Sequence, residues 1–305
     1  MEDRLIVTAS PHIRDASTTR GLMGNVVIAL LPAVLAAGLI FGVQALVLVA
    51  VTTLACVAFE YIYEKLLKKP NTVGDLSAVV TGIILALNMP VGMPLWIAVV
   101  GAFVAIVITK QLFGGLGYNF ANPALVGRIV LFVSFAGAMN NWVFPDAAVD
   151  QLSSATPLAV ADPNKLSLLD LFMGVHGGVL GETCALAIVL GLIYLVVTKT
   201  ISIAIPAAYV GSMFVFYLIA THSVHAALVA VLSGGLLFGA VFMATDYVTS
   251  PFTLKGKLIY GVALGVVTFA IRYWGSYTEG VSFALLFMNL WVPYINDLTR
   301  QTPYG

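Results

Sequence analysis

The chain has 305 residues, of which 60% are hydrophobic and 9% are charged, and its mean hydropathy is +1.02. This composition excludes an ordinary soluble domain, and the balance of 14 basic against 14 acidic residues gives no basic surface for nucleic acid. We therefore expect an integral membrane protein without a nucleic-acid partner.

Residues 1–21 are polar and lack the apolar core of a signal peptide, so we interpret them as a cytoplasmic N-terminal arm. Long apolar stretches follow, and a bilayer core about 30 Å thick needs roughly 20 apolar residues per helix. The sequence therefore predicts an all-α membrane protein with about ten transmembrane helices. Their approximate limits are 22–42, 43–64, 76–90, 94–113, 122–139, 177–197, 200–221, 224–245, 257–274 and 281–297.

Two of these helices are predicted to be short or broken. The third contains Gly82 and Asn88 before Pro90, and the fifth opens with the sequence NPALVGR. Glycine and proline interrupt helices, and broken helices are typical of membrane proteins built from inverted repeats. We therefore expect polar sites where such helices meet.

Five predicted helices precede a polar loop at residues 140–176 and five follow it. An odd number of helices per half inverts the second half, so we predict two inverted five-helix repeats, at 22–139 and 177–305. A sequence echo agrees with this prediction. Both GYNFANPALVGR at 117–128 and TDYVTSPFTLKGK at 245–257 contain a polar turn, a proline, and a glycine followed by a base.

Positive charges predict the orientation of the helices. If the N-terminus is cytoplasmic, 12 of the 14 Lys and Arg residues fall on the inner side, among them Lys110 and Arg128. Only Lys165 and Arg272 fall outside. The positive-inside rule expects this bias, which predicts that the loop at 140–176 faces the extracytoplasmic space.

Several polar residues lie within or beside the predicted helices. Glu182 is expected in the first turn of the sixth helix and Asp246 at the end of the eighth, and either could bind or gate a cation. The alternative is helix capping and interhelical hydrogen bonding. Glu60 is interpreted as an interfacial charge that reaches solvent. Cys56 and Cys184 form no metal-ligand or disulfide pattern, so no metal site is predicted.

The outer loop contains the hydroxyl-rich sequence DQLSSATPLAV at residues 150–160. Its chemistry alone is that of an exposed loop. Ser153, Ser154 and Thr156 provide hydroxyl groups, but no neighbouring base is positioned to activate one of them as a nucleophile. No catalytic residue is therefore predicted from these residues themselves.

The segment from Asp150 to Thr156 resembles the flavinylation motif D-x-x-[ST]-[small]-A-T, at which a flavin transferase joins FMN through its phosphate to the threonine hydroxyl. Four other stretches resemble the same family, the NqrB/RnfD membrane flavoprotein subunits. They are SPHIRDASTTRGLM (10–23), TGIILALNMP (81–90), GGLGYNFANPALVGR (114–128) and GETCALAIVLG (181–191). The resemblance covers essentially the whole chain and is closer to RnfD than to NqrB.

This resemblance implies covalent FMN on Thr156, with Asp150, Ser153, Ser154 and Ala155 as the motif that the transferase recognises. It also implies an electron-transfer subunit of a ferredoxin:NAD⁺ oxidoreductase in the bacterial cytoplasmic membrane, coupled to movement of Na⁺ or H⁺. The implied partners are other Rnf-type subunits that carry iron–sulfur clusters and flavins. The chain alone is expected to have no complete activity.

The glycine-rich stretch at 114–128 is a second candidate site. Its glycines allow close approach of the backbone to a ligand, and Asn119 and Asn122 provide amides that can bind the edge of an isoalloxazine ring. The resemblance to NqrB, which holds a noncovalent riboflavin, implies a second flavin here. The alternative is a tight re-entrant turn with capping asparagines.

Two other functions are compatible with the sequence. Ten spans, broken helices and intramembrane acids are also typical of an inverted-repeat transporter or channel for a small solute. A passive assembly subunit, which only anchors redox partners, is the third possibility. The hydroxyl-rich loop argues against the transporter, because a permease does not need it. A passive assembly subunit would keep its activity unchanged in Thr156→Val.

Overall fold

The computed structural model describes residues 18–141, 166–174, 176–275 and 280–300. These parts of the chain form helices joined by turns and contain no β-strand. The helices are α1 Thr19–Phe41, α2 Val43–Leu66, α3 Ser77–Leu87, α4 Leu95–Phe103, α5 Pro123–Ser134, α6 Ala136–Met139, α7 Leu168–Met173, α8 Ala185–Val197, α9 Ala204–Thr221, α10 Val224–Leu232, α11 Leu236–Phe238, α12 Leu254–Trp274 and α13 Val281–Leu298. Two of them continue as π-helices, α4 through Val104–Gln111 and α11 through Gly239–Met243.

Each of the ten predicted apolar segments contains a helix, but only some of these helices have full spanning length. In the described part of the chain, α1, α2, α9, α12 and α13 are long and apolar enough to cross a membrane. Shorter apolar helices fill most of the other predicted segments. Large apolar side chains such as Leu39 and Val133 are exposed, as expected for contact with lipid. The protein is a multi-pass membrane protein, and the part of it that the structure describes is all-helical.

The eighth span is broken, although the sequence predicts a continuous helix at 224–245. The axes of α10 and of the helix that follows it differ by 64°. Ser233 and Gly234 lie at the break, and Gly234 has a φ of +67°, a conformation that favours glycine. Arg272 on α12 donates hydrogen bonds to the backbone oxygens of Ala230 (2.8 Å) and Ser233 (3.3 Å). These bonds satisfy carbonyls that the end of α10 leaves without intrahelical partners.

The helices α9 and α12 pack closely through small residues. A Cβ added at Gly261 would lie 2.7 Å from the Cβ of Ala208 and 3.0 Å from the backbone oxygen of Ile205. A Cβ at Gly265 would lie 2.8 Å from the Cβ of Ser212. Glycines four residues apart on one helix face allow this approach, as is common between membrane helices.

The predicted sixth helix begins later than expected. Its first residues form a glycine-containing loop, in which the N–H groups of Leu180 and Gly181 donate to carbonyl oxygens at the end of α3, at 3.1 and 2.7 Å. Helix α8 starts only at Ala185. The placement of Glu182 in the first turn of a helix was therefore wrong, because these residues form backbone bonds from a loop to the end of α3 instead of helical ones.

Three charges on the predicted inner side are buried within the bundle. Lys110 is 2% exposed, Arg128 is 3% exposed and Glu60 is fully buried. Lys110 pairs with Glu60 across 2.6 Å, and Arg128 donates to the hydroxyl of Ser282 on α13 at 2.6 Å. The interpretation of Glu60 as an interfacial charge was wrong, because this carboxylate finds its counterion inside the bundle.

The two echoing segments have similar local structure. Each follows a π-helix and leads into a helix that a side chain caps. Asn122 accepts hydrogen bonds from the N–H groups of Ala124 and Leu125, and Thr253 accepts one from the N–H of Gly256 at 3.0 Å. This likeness agrees with the inverted repeat, which stays a prediction.

Candidate functional site

A cavity lies where several helix ends meet. Helices α1, α3 and α5 begin beside it, while α8 and the π-helical extensions of α4 and α11 end beside it. The cavity therefore lies at one end of the helix bundle. Counted with its open mouth, the cavity has about 700 Å³ of empty volume, and side chains such as Met23, Ile84 and Phe242 make much of its wall apolar.

The predicted asparagines, Asn119 and Asn122, both line this cavity. Asn122 is the N-cap of α5, so its side-chain oxygen is already used. Asn119 donates from Nδ2 to the backbone oxygen of Ala121 at 3.1 Å, but its buried Oδ1 has no hydrogen-bond partner among the described residues. A buried oxygen without a partner is costly, so Asn119 is the side chain that a ligand would satisfy.

Asp246 faces the same cavity from the second echoing segment. The π-helix ends at Met243, so Asp246 lies in the following loop rather than at the end of the helix as predicted. Burial raises the pKa of the Asp246 carboxyl, and hydrogen bonds from Val248 N (3.3 Å) and the Thr249 hydroxyl (3.1 Å) oppose this shift. The two echoing segments therefore meet at one cavity.

A buried ion pair forms part of the wall, and the sequence analysis missed it. Lys110 and Ser77 line the cavity, and Lys110 Nζ donates to Ser77 Oγ and to Glu60 Oε1, both at 2.6 Å. Gln111 donates to the same Glu60 oxygen at 2.8 Å. A lysine inside an apolar segment was the signal, since an intramembrane charge is usually paired.

A second carboxylate lies behind this pair. Glu64, one helical turn after Glu60, is 3% exposed and accepts hydrogen bonds from the backbone N–H and the hydroxyl of Thr72. The Thr72 hydroxyl also lies 3.3 Å from Glu60 Oε1. The other oxygen of Glu60 is buried without a hydrogen-bond partner among the described residues. Two buried carboxylates therefore lie on either side of the Thr72 hydroxyl, and Glu60 is the one paired with Lys110.

The chemistry of the cavity wall suits a flavin ring. Ligand pockets are usually apolar with a few directed polar groups, and the wall of this cavity has that character. The unpartnered Asn119 oxygen can accept a hydrogen bond from a ring N–H, and Lys110 supplies a donor with a positive charge. No group of three or more His, Cys, Asp or Glu suited to a metal ion occurs in the described part of the chain.

The predicted flavinylation residues lie outside the described residues. These are Asp150, Ser153, Ser154, Ala155 and Thr156. The described segments that flank them are at the end of the bundle away from the cavity. Helix α5 begins at the cavity and runs away from it before this gap. After the gap, the backbone oxygen of Leu166 contacts His225 Nε2 at 3.1 Å, at the start of α10.

Glu182 does not join Asp246 at the cavity. Glu182 precedes the start of α8, whereas the end of α8 lies at the cavity, so about 20 Å of helix separates them. Its Oε1 accepts a hydrogen bond from the N–H of Val179 at 3.3 Å within the buried loop. The two predicted ion-path residues therefore lie near opposite ends of the bundle.

Comparison with known proteins gives a match over nearly the whole chain. The model of the NQR2, RnfD, RnfE family matches residues 6–305. The chain belongs to this family. A relative from Acetobacterium woodii, named as part of the Na⁺-translocating ferredoxin:NAD⁺ oxidoreductase complex, is 46% identical over 310 residues, which cover 100% of this chain and 96% of that protein.

Two further relatives have related names. A protein of the proton-translocating ferredoxin:NAD⁺ oxidoreductase complex of Clostridium ljungdahlii is 35% identical, over 98% of this chain and 96% of that protein. A protein of the ion-translocating oxidoreductase complex of Erwinia tasmaniensis is 31% identical, over 98% of each chain. The resemblance to the NqrB/RnfD family that the sequence motifs indicated is confirmed.

Proposed function

We propose that this chain is an electron-carrying membrane subunit of an ion-translocating ferredoxin:NAD⁺ oxidoreductase in the bacterial cytoplasmic membrane. Its family and the names of its relatives support this proposal. The observation that carries the redox role is the cavity that contains the unpartnered oxygen of Asn119. Electrons enter and leave through partner subunits that carry iron–sulfur clusters and flavins, so the chain alone has no complete activity.

The cavity is the proposed site of a noncovalent flavin, riboflavin. A bound isoalloxazine supplies reversible electron transfer, while the protein fixes its position and excludes water. Asn119 binds the ring edge through Oδ1, and Asn122 contributes only its Nδ2, because its Oδ1 caps α5. The apolar wall holds the ring faces.

A second flavin, FMN, is proposed on Thr156 through a phosphoester. The motif residues Asp150, Ser153, Ser154 and Ala155 support this assignment, together with the flavin transferase that such a motif requires. The described segments that flank this loop lie at the end of the bundle opposite the cavity. The proposal therefore places one flavin near each membrane face, with Thr156 outside the cytoplasm.

Asp246 is a better candidate than Glu182 for the residue that couples electron transfer to movement of Na⁺ or H⁺. It lines the same cavity as the proposed riboflavin, so a change of charge there acts directly on its carboxyl group. Burial raises its pKa, which favours proton binding. Glu182 lies near the opposite end of the bundle and would act, if on the path, at the other membrane face.

The covalent flavin is tested by fluorescence of the denatured protein in a gel. When the chain is produced together with a flavin transferase, the wild-type band should fluoresce and the Thr156→Val band should be dark. Thr221→Val, an exposed threonine change elsewhere, should leave the fluorescence unchanged. A dark wild-type band under these conditions contradicts covalent FMN and favours the transporter alternative.

The cavity flavin is tested by extracting the purified complex with acid and identifying the released flavin by mass. The wild type should release riboflavin, and Asn119→Leu should lose about 90% of it, because the ring edge loses its hydrogen-bond acceptor in a dry site. Asn141→Leu, an exposed asparagine, is the matched control. Full retention of riboflavin in Asn119→Leu would exclude this binding mode without affecting the assignment of Thr156.

A further inference from the structure

The buried pair of Lys110 and Glu60 is not explained by a structural role alone, because the lysine also forms part of the cavity wall. We propose that Lys110 is a positive charge shared between Glu60 and the flavin in the cavity, and that it makes the cavity bind reduced flavin more tightly than oxidised flavin. This inference rests on the cavity flavin proposed above. It assigns Lys110 as the residue that sets the redox potential of that flavin.

The hydrogen bonds around Glu60 allow Lys110 to change partners. Glu60 Oε1 accepts from Lys110 (2.6 Å) and Gln111 (2.8 Å), so the Gln111 amide remains as a donor if the ammonium group turns toward the cavity. Lys110 is also bonded to Ser77, which lines the same wall. Because a lysine ammonium has three rotatable donors, a small rotation of its side chain is enough to add the flavin as a partner.

The charges around the cavity give the direction of the effect. Among the described residues, Lys110 and Asp246 are the two charged ones that line the cavity. The carboxylate of Glu60, which is not part of the cavity wall, attracts Lys110 away from the ligand. A ligand that gains negative charge competes better for the ammonium group, because Coulomb attraction is strong where water is excluded. Removing Glu60's charge should therefore strengthen the attraction of Lys110 to the ligand.

Reduction of the flavin requires one electron from a partner and no proton from Lys110. A one-electron carrier of the assembled complex is oxidised, and the electron ends on the bound flavin. Lys110 forms no covalent bond and keeps its proton, since it exchanges only a hydrogen-bond partner. As Lys110 turns toward the flavin, Glu60 loses part of its compensating charge. Reduction at the cavity is thereby communicated to a buried carboxylate outside the cavity.

The test is a redox titration of the noncovalent flavin in the purified complex. Lys110→Met alone leaves Glu60 buried without its counterion, which threatens folding, so the informative variant is the neutral double change Glu60→Gln/Lys110→Met. In this variant the ratio of affinities for reduced and oxidised flavin should fall at least about tenfold. This change lowers the midpoint potential of the flavin by about 59 mV for one electron. Glu60→Gln alone should move the potential in the opposite direction. Lys255→Met, an exposed lysine outside the cavity, should leave it unchanged.

The double variant and Glu60→Gln should shift the flavin potential in opposite directions. This distinguishes an electrostatic role of Lys110 from a structural one. An unchanged potential in the double variant overturns the inference, and so does a potential that falls in Glu60→Gln. Equal weakening of oxidised and reduced flavin binding in the double variant also overturns it, since that is the result of a damaged cavity. A wild-type complex without noncovalent flavin contradicts the proposed cavity flavin itself, which distinguishes the two failures.

Discussion

Arg272 shows how a single side chain stabilises the break between α10 and α11. Its guanidinium group donates to two carbonyl oxygens at the end of α10. We expect Arg272→Met to lower the free energy of unfolding by about 2 kcal/mol, because two hydrogen bonds from a charged donor are lost in a partly buried place. The measurement is the thermal unfolding midpoint of the protein in detergent. Lys255→Met, an exposed change on the same helix, should have little effect.

Some residues of the candidate site could be predicted from the sequence, and others could not because they meet only in the folded protein. Asn119 and Asn122 were predictable, because they lie three residues apart in a glycine-rich turn and share one local structure. The pairing of Glu60 with Lys110 was not, because 50 residues separate them and only the packing of α2 against α4 brings them together. Asp246 was identified as polar and intramembrane, but its approach to Asn119 depends on how the two halves of the chain fold.

The contact between α9 and α12 depends on the absence of side chains at Gly261 and Gly265. We expect Gly261→Leu to separate the helices and to destabilise the protein by about 1–3 kcal/mol, since the added atoms overlap with α9. Gly211 on α9 has no atoms within 4 Å of an added Cβ, so Gly211→Leu is the matched control. Equal unfolding midpoints for the two variants in detergent would contradict this packing.

Helix positions were predictable from apolar runs, whereas helix ends often were not. The runs locate ten apolar segments because a bilayer requires them, and each contains a helix. The breaks at Ser233 and before Ala185 occur within apolar runs, where glycine and tertiary hydrogen bonds decide the backbone path. A hydropathy pattern does not record such bonds.

The arrangement of the whole molecule predicts which surfaces are accessible from each side of the membrane. Lys65, at the end of α2, lies at the cavity end of the bundle, and His222, after α9, lies at the opposite end. In a Cys56→Ala/Cys184→Ala background, we expect His222→Cys to react with a membrane-impermeant maleimide in spheroplasts, whose cytoplasmic membrane is intact.

Lys65→Cys should react only in inverted membrane vesicles, because the proposed orientation places it in the cytoplasm. Both positions are exposed, so burial does not protect either one. Labelling of Lys65→Cys, instead of His222→Cys, in spheroplasts would reverse the orientation. The cavity flavin would then face the outside.

The direction of Lys110 depends on the π-helical winding of the segment Val104–Gln111. In this segment the N–H of Leu112 donates to the oxygen of Val107, five residues earlier, so each turn is wider than an α-helical turn. If the same residues wound as an α-helix instead, the side chains that follow would be rotated by about 100°. The lysine would then leave both Glu60 and the cavity, although no residue of the site had been replaced.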